Sequence, residues 1–324
     1  MRALPRNTVL VGDALTVLSS LPAQSVDCVV TSPPYYLLRD YGVQGQLGHE
    51  ATVSDWVTGL RAVMAAVARV LKPSGSVWLN LADSYSRAAK YGGATKSLLL
   101  GPERLILALV DDGWLVRNKV IWSKPNPLPS SVRDRLNTGY EFVYFLTRSR
   151  HYYFDLDAIR VPHTSKRGRS AGAMLGQAPT WAGPLAGSQD GLRRARAAGQ
   201  PGHPLGKNPG DVWRIATRAF RGAHYATFPE ALVRRPLLAT CPPMVCIGCG
   251  KPRRRSGLAR RLSCSGCAAG VQPGLVLDPF MGSGTVGVVA QELGRDWLGI
   301  ELNPLFAALA THRVGSARER RRAA

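Results

Sequence analysis

Two short runs in this 324-residue chain have residue types suited to chemistry on a flat ring that carries an amino group. They are Thr31-Ser32-Pro33-Pro34-Tyr35 and Asp278-Pro279-Phe280-Met281-Gly282-Ser283-Gly284-Thr285. In the first, two consecutive prolines fix φ and stiffen the turn, so the Ser32 hydroxyl and the Pro33 carbonyl offer two acceptors at a fixed spacing. An exocyclic amine on a base is a poor nucleophile because its lone pair is delocalised into the ring. Two acceptors holding its hydrogens draw the nitrogen toward a tetrahedral, more reactive geometry. Tyr35 offers a flat face for such a ring, and stacking of a base on an aromatic side chain contributes ~1–3 kcal/mol. A base in a duplex must first leave the stack, which costs about a few kcal/mol. Transfer to its nitrogen would then be a direct in-line displacement governed by positioning.

The second run follows the apolar segment Leu275-Val276-Leu277 and opens a helical stretch. Small glycines let a ligand approach the backbone, and the first N–H groups of a helix face polar cofactor atoms. About 20 residues on, Glu301 ends the next apolar run, where a carboxylate can hold the two hydroxyls of a ribose. A dinucleotide fingerprint would read Gly-x-Gly-x-x-Gly, whereas only Gly282-x-Gly284 is present here, followed by Val286 and Gly287.

A third constellation is Cys246-x-x-Cys249 and Cys264-x-x-Cys267, enclosing the 14 residues 250 to 263. Two such knuckles present four thiolates tetrahedrally to zinc and leave no open position for catalysis. The spacing predicts a structural zinc ribbon held by Cys246, Cys249, Cys264 and Cys267. Lys251, Arg253, Arg254, Arg255, Arg260 and Arg261 would make its tip a basic hairpin able to touch phosphates. Cys28 and Cys241 have no evident partners, and Cys28 reads as a small core residue.

The elements that must hold these residues alternate between strand and helix. Thr8–Val11, Val26–Thr31, Ser76–Leu81, Leu115–Trp122, Tyr140–Leu146 and His151–Phe154 read as strands. Helices are expected over Ala14–Leu21, about Ser54–Leu71 and about Pro102–Asp112. Ser54 is a candidate N-cap, and Lys72-Pro73-Ser74-Gly75 a stop. Order resumes at Asp211–Ile215 after residues 163 to 210, which are rich in Gly, Ala, Pro and Arg without periodicity. That segment reads equally as a flexible insertion or a folded lobe. Leu275–Leu277, a helix Thr285–Leu293 and a strand Trp297–Glu301 form one βαβ unit. A helix at Pro304–His312 then precedes the basic run Arg318-Glu319-Arg320-Arg321-Arg322. Helices between strands imply a mostly parallel sheet covered on both faces.

Composition narrows the partners. Lys and Arg total 42 against 21 Asp and Glu, a formal charge of +21. That surplus suits a polyanion, where each neutralised phosphate releases counterions. There is no apolar run of about 18 residues for a membrane span and no secretory h-region near the start. The expectation is a soluble cytoplasmic protein that meets no membrane.

The two runs together, in this order, resemble the β-group of S-adenosylmethionine-dependent DNA amino-methyltransferases, the Ser-Pro-Pro-Tyr subgroup in particular. Phe280-Met281-Gly282-Ser283-Gly284 resembles that family's Phe-x-Gly-x-Gly motif. Further likenesses are Leu38-Arg39-Asp40-Tyr41-Gly42, Trp122-Ser123-Lys124-Pro125-Asn126 and His224-Tyr225-Ala226-Thr227-Phe228-Pro229-Glu230. The resemblance covers nearly everything except residues 163 to 210 and the cysteine segment, and implies a circularly permuted Rossmann-like methyltransferase fold. The expected architecture is α/β with a mostly parallel sheet, plus a target-recognition insertion and the small zinc ribbon read from the cysteine spacing. It implies that the cofactor turn follows the family's first strand, Glu301 ends the second, Asp13 the third, and the Pro-Pro-Tyr turn follows the fourth. The implied cofactor is S-adenosylmethionine, held by Asp13, Phe228, Pro229, Asp278, Pro279, Phe280, Gly282, Gly284, Thr285 and Glu301. Ser32, Pro33, Pro34 and Tyr35 form the implied catalytic set. Ser at the first position of that motif is typical of cytosine-N4 enzymes, with adenine N6 as the alternative and a non-catalytic DNA-binding protein as a third reading. Double-stranded DNA is the implied partner and a cognate restriction endonuclease a candidate one. Tyr140-Glu141 departs from the family's usual His-Glu, a position with a candidate role at the target base.

The expected division is a catalytic half (1–154), a basic target-recognition region (155–221) and a methionine-pocket connection (222–245). The ribbon (246–267), a cofactor half (268–314) and a basic tail (315–324) complete it.

Overall fold

The computed structural model describes residues 4–163, 203–217, 227–256, 259–262, 267 and 269–323. Two compact units divide the chain: Met1–Asp155 with Asp211–Ala324, and Leu156–Gly210. In the smaller unit, Val161 bridges Lys207 and Arg160 binds both Asp157 and the Gly206 carbonyl. Most of the expected target-recognition region, residues 164–202 and 218–221, lies outside the described residues.

The larger unit is built on a sheet of eight described strands: β1 (Thr8–Val11), β2 (Val26–Thr31), β3 (Leu71–Leu81), β4 (Leu115–Ser123), β5 (Tyr140–Thr147), β6 (Val212–Arg214), β11 (Leu275–Asp278) and β12 (Asp296–Glu301). Their order is β1-β12-β11-β2-β3-β5-β4-β6, with β5 alone antiparallel to its neighbours. The expected permutation is therefore present. The strand before the cofactor turn and the strand before Ser-Pro-Pro-Tyr lie side by side, although 247 residues separate Thr31 from Asp278.

Alternation along each strand sends side chains to two cores. Val26 and Val29, Leu275 and Leu277, and Leu298 and Ile300 pack with α1 (Ala14–Ser20), α2 (Val53–Val70) and α3 (Gly101–Asp111). Cys28 and Val30, Val276 and Trp297 pack on the other face with α4 (Glu230–Thr240), α5 (Thr285–Leu293) and α6 (Pro304–Ala323). A sheet apolar on both faces is what parallel strands require. Cys28 is buried, with Sγ 3.4 Å from the Thr240 hydroxyl, and burial pushes its thiol up to about 12.

Several boundaries differ from the sequence reading. Helix α2 begins one residue early because Thr52, not Ser54, caps it. Thr52 Oγ1 accepts from the Asp55 backbone N–H, and Asp55 Oδ2 accepts from that of Thr52, a complete capping box. Lys72-Pro73-Ser74-Gly75 belongs to β3, where the pairing with β2 slips between Val26 and Cys28 and absorbs the extra residues as a bulge. His151–Phe154 is not a strand, although Tyr153 donates its backbone N–H to the Ser74 carbonyl. Helix α6 continues to Ala323, so the basic run is helical rather than a separate tail. No helix of the described residues is long and apolar enough to cross a membrane.

The segment ahead of β11 holds two small antiparallel pairs. Strand β7 (Val245–Cys246) pairs with β10 (Val271–Gln272), and β8 (Arg253–Ser256) with β9 (Ala259–Leu262).

Candidate active site

Both turns emerge at the carboxyl ends of neighbouring strands, where open α/β sheets bind ligands. Between them lies a cleft with about 810 Å³ of empty space, the part open to solvent included. Ser32 and Pro34 line it from the catalytic turn, and Pro279, Phe280, Gly282, Ser283 and Thr285 from the other. Asp13, Phe228 and Glu301 also face the cleft, with Tyr41 and Phe306 adding aromatic surface. Pro33, Tyr35, Pro229, Asp278 and Gly284 are not among the residues that line it.

The catalytic turn is held by side chains from four distant places. The Trp56 indole on α2 donates to the Pro34 carbonyl at 2.9 Å. No described residue donates to the Pro33 carbonyl, which leaves that acceptor available. The Tyr35 hydroxyl lies 3.0 Å from Ser32 Oγ and donates to Glu141 Oε2 at 2.7 Å. Glu141 also accepts from Asn80 Nδ2 at 3.0 Å and pairs with Lys124 Nζ. Burial, and then the Glu141 charge, hold the Tyr35 hydroxyl well above its ordinary range, so it stays protonated and donates. Glu141 thus fixes the tyrosine rather than facing the cleft, which gives the Tyr140-Glu141 position a physical role.

On the other side, Glu301 closes the cofactor turn. Its Oε2 accepts from the Gly282 backbone at 2.7 Å and its Oε1 from that of Asn303 at 2.9 Å. Each oxygen keeps acceptor capacity toward the cleft, and burial raises the carboxyl's pKa. Asp13 caps α1 by accepting from the Thr16 N–H at 2.8 Å. Gly284 serves packing: it has φ +81°, and a Cβ there would lie 3.0 Å from the Cα of Ala310 on α6.

Arg313 on α6 escaped sequence reasoning. Its guanidinium donates to the Ser283 carbonyl, Ser283 Oγ, Thr285 Oγ1 and Glu230, tying the turn to the start of α4. Its signal was faint: the buried Ala307, Ala310, Val314 and Ala317 continue the helical spacing past His312.

Asp278 joins the two turns. Its Oδ1 accepts from Thr31 Oγ1 at 2.7 Å and from the Phe280 N–H at 3.1 Å, while Oδ2 has no partner among the described residues. At 1% exposure, burial pushes the carboxyl up to about 7.

Away from the cleft, the sulfurs of Cys246, Cys249 and Cys267 lie within 4.8 Å of one another. The knuckle is built from backbone bonds, Gly250 N–H to the Cys246 carbonyl and Cys246 N–H to the Lys251 carbonyl, both 2.9 Å. Cys264 and His224-Tyr225-Ala226 lie outside the described residues.

Residues 26–312 match the family described as DNA methylase, N6_N4_Mtase. The type II methyltransferase M.XycI of Xanthomonas campestris pv. cyanopsidis is 36% identical across 95% of this chain and 87% of its own length. M.Cfr9I of Citrobacter freundii is 33% identical, with the same coverages. Among solved structures, PvuII DNA methyltransferase (cytosine-N4-specific) superposes with a TM-score of 0.60 at 18% identity, covering 98% of this chain and 93% of that one. A DNA modification methylase of Thermus thermophilus, complexed with S-adenosyl-L-methionine, gives 0.56 at 22% identity, with 96% and 93% covered. With its two motifs meeting across one cleft of this sheet, the chain belongs to the DNA methylase family of amino-methyltransferases.

Proposed function

We propose that this protein transfers a methyl group from S-adenosylmethionine to the exocyclic N4 of cytosine in double-stranded DNA. The observation that carries the proposal is the shared cleft: Ser32 and Pro34 face Phe280, Gly282 and Glu301 across it. When bound, S-adenosylmethionine supplies an electrophilic methyl group on a sulfonium. The cleft fits such a group, with aromatic walls for a purine and the Glu301 carboxylate for vicinal hydroxyls. Asp13, Phe228, Phe280, Gly282 and Glu301 would hold it, with Asp278, Gly284 and Arg313 fixing the turn from behind. Ser32 Oγ and the Pro33 carbonyl would take the amine hydrogens, while the buried Tyr35 hydroxyl orients Ser32. The cytosine reading rests on Ser32 at the first motif position and is supported by the likeness to a structure described as cytosine-N4-specific.

Residues 155–221, with their arginines, are proposed to read the target. The relatives' designations as type II methyltransferases suggest a cognate restriction endonuclease. The Cys246, Cys249 and Cys267 sulfurs are proposed to bind a structural zinc ion with Cys264. Elemental analysis of purified protein should find one zinc per chain, and well below one would sink that assignment.

Methylated DNA digested to nucleosides and resolved by mass should contain N4-methylcytosine. N6-methyladenine would transfer the mechanism to the other base, and no modified nucleoside would reduce the protein to a DNA binder. In the same assay Tyr35→Ala should abolish transfer while leaving donor affinity within about twofold.

A further inference from the structure

Between β4 and β5 the chain makes a long excursion, residues 124 to 139, at the same end of the sheet as the catalytic turn, since β4 runs parallel to β2. Its base is the active-site support itself: Lys124 pairs with Glu141, which holds Tyr35. The excursion is pinned at several points. The Lys124 N–H donates to the Gly139 carbonyl at 2.8 Å, and Asn126 and the Thr217 backbone bond each other twice. Asn137 Nδ2 grips the Leu128 carbonyl at 2.9 Å. Farther out, Lys96 pairs with Asp134 at 2.7 Å, and the Arg135 guanidinium lies 3.2 Å from the Tyr85 ring centroid.

A loop so anchored nevertheless presents Leu128 at 86% and Leu136 at 91% exposure. Two nearly bare leucines are costly in water, since a buried leucine side chain is worth roughly 1.5–3 kcal/mol. Both belong to one anchored loop, in which the Asn137 bond ties the residue after Leu136 to the backbone of Leu128. Their neighbours Arg133 and Arg135 match a polyanion rather than a greasy protein surface, and apolar side chains that enter between base steps are a known way for proteins to unstack DNA.

We infer that Leu128 and Leu136 enter the base stack of the target duplex and fill the space the extruded base leaves. This inference rests on the reading of the cleft as a site for a flipped base. A base that must leave the helix strands its partner and its stacking neighbours. An apolar wedge fixed to the same support as Tyr35 would stabilise that opened state without touching the reacting atoms.

The test uses the full-length protein and the duplex site identified by sequencing DNA the protein has methylated. Single-turnover transfer is measured for the parent and for Leu128→Ala/Leu136→Ala on two duplexes: one fully paired, one abasic opposite the target base. The paired duplex should lose at least tenfold in the double variant. The abasic duplex, already open, should lose no more than about twofold. Equal losses on both, or none on either, would overturn the inference while leaving the proposed function standing. Absence of transfer by the parent on any DNA would instead remove the functional reading and the wedge with it. Unchanged thermal unfolding of the double variant guards against a folding defect, and a Leu128→Met/Leu136→Met variant, which keeps the apolar bulk, should recover most of the paired-duplex rate.

Discussion

The turn after β2 and the turn after β11 face the same cleft but are stabilised in opposite ways. The Ser-Pro-Pro-Tyr turn is shaped locally by prolines, yet it is fixed by Trp56 of α2, Asn80 of β3, Lys124 just after β4 and Glu141 of β5. The Phe-Met-Gly-Ser-Gly turn is held by its own backbone, by Glu301 nineteen residues on, and by α6, through close contact at Gly284 and the Arg313 guanidinium. One is a polar network drawn from four places, the other chiefly a turn packed against a single helix. Networks of buried polar groups fail abruptly when one member is lost, whereas a packed turn degrades with the volume that is forced into it.

Asp278, where the two turns touch, offers the largest test of this contrast. Its carboxyl is pushed up from 3.8 to about 7, chiefly by burial. The folded protein therefore keeps a proton that the unfolded chain releases. The group's contribution to stability is fully present below about pH 4 and is lost as the pH rises through about 7. A difference of roughly three pH units corresponds to on the order of 4 kcal/mol. Asp278→Asn removes the titration and keeps an acceptor for Thr31. Urea unfolding of both proteins from pH 4 to 8 should show the parent falling steadily relative to the variant. Parallel curves would mean that the carboxylate is solvated in solution and does not join the turns as a neutral group.

Next in size is Glu141→Ala. It leaves Lys124 without its counter-charge and Tyr35 and Asn80 without an acceptor. Removing one partner of a buried pair costs about 3–5 kcal/mol, and with both side chains still partly reached by solvent the lower end is expected, about 3 kcal/mol. Transfer should fall at least a hundredfold, whereas donor affinity, measured by calorimetry, should hold within about twofold. A comparable loss of donor affinity would show that the two turns are one mechanical unit and would break the comparison.

The same contrast explains what could be read from the sequence. The βαβ unit from Leu275 to Glu301 was legible because each of its features is local: an apolar strand, glycines at a turn and an acidic strand end. The order of the motifs, set beside the family's, gave the permuted sheet and hence the cleft. Glu141 and Lys124 were visible as residues, but their link to Tyr35 depends on β5 running antiparallel between β3 and β4. No period or motif in the chain specifies that reversal. Arg313 was hidden because α6 continues through alanines and arginines, whose weak amphipathic pattern reads as a solvated tail. The start of α2 was misplaced because Thr52 and Ser54 are equally good caps by type, and the Asp at 55 completes a box with Thr52 alone.

Gly284→Ala sharpens the comparison with the smallest expected effect. The position has φ +81°, where a residue with a Cβ costs about 1–2 kcal/mol. The new methyl would meet the Cα, Cβ and carbonyl of Ala310 at 3.0–3.2 Å, so α6 must shift by a few tenths of an ångström. Backbone yields less readily than a flexible side chain, so a total of about 2 kcal/mol is expected. Because α6 also carries Arg313, that shift pulls the guanidinium away from Ser283 and Thr285 and loosens the turn proposed to hold the cofactor. Donor affinity should therefore fall several-fold while the Tyr35–Glu141 network, and with it the transfer rate at saturating donor, is unchanged. A variant with normal donor affinity but slowed transfer would place the mechanical coupling on the wrong turn and reverse the assignment of local packing to cofactor binding.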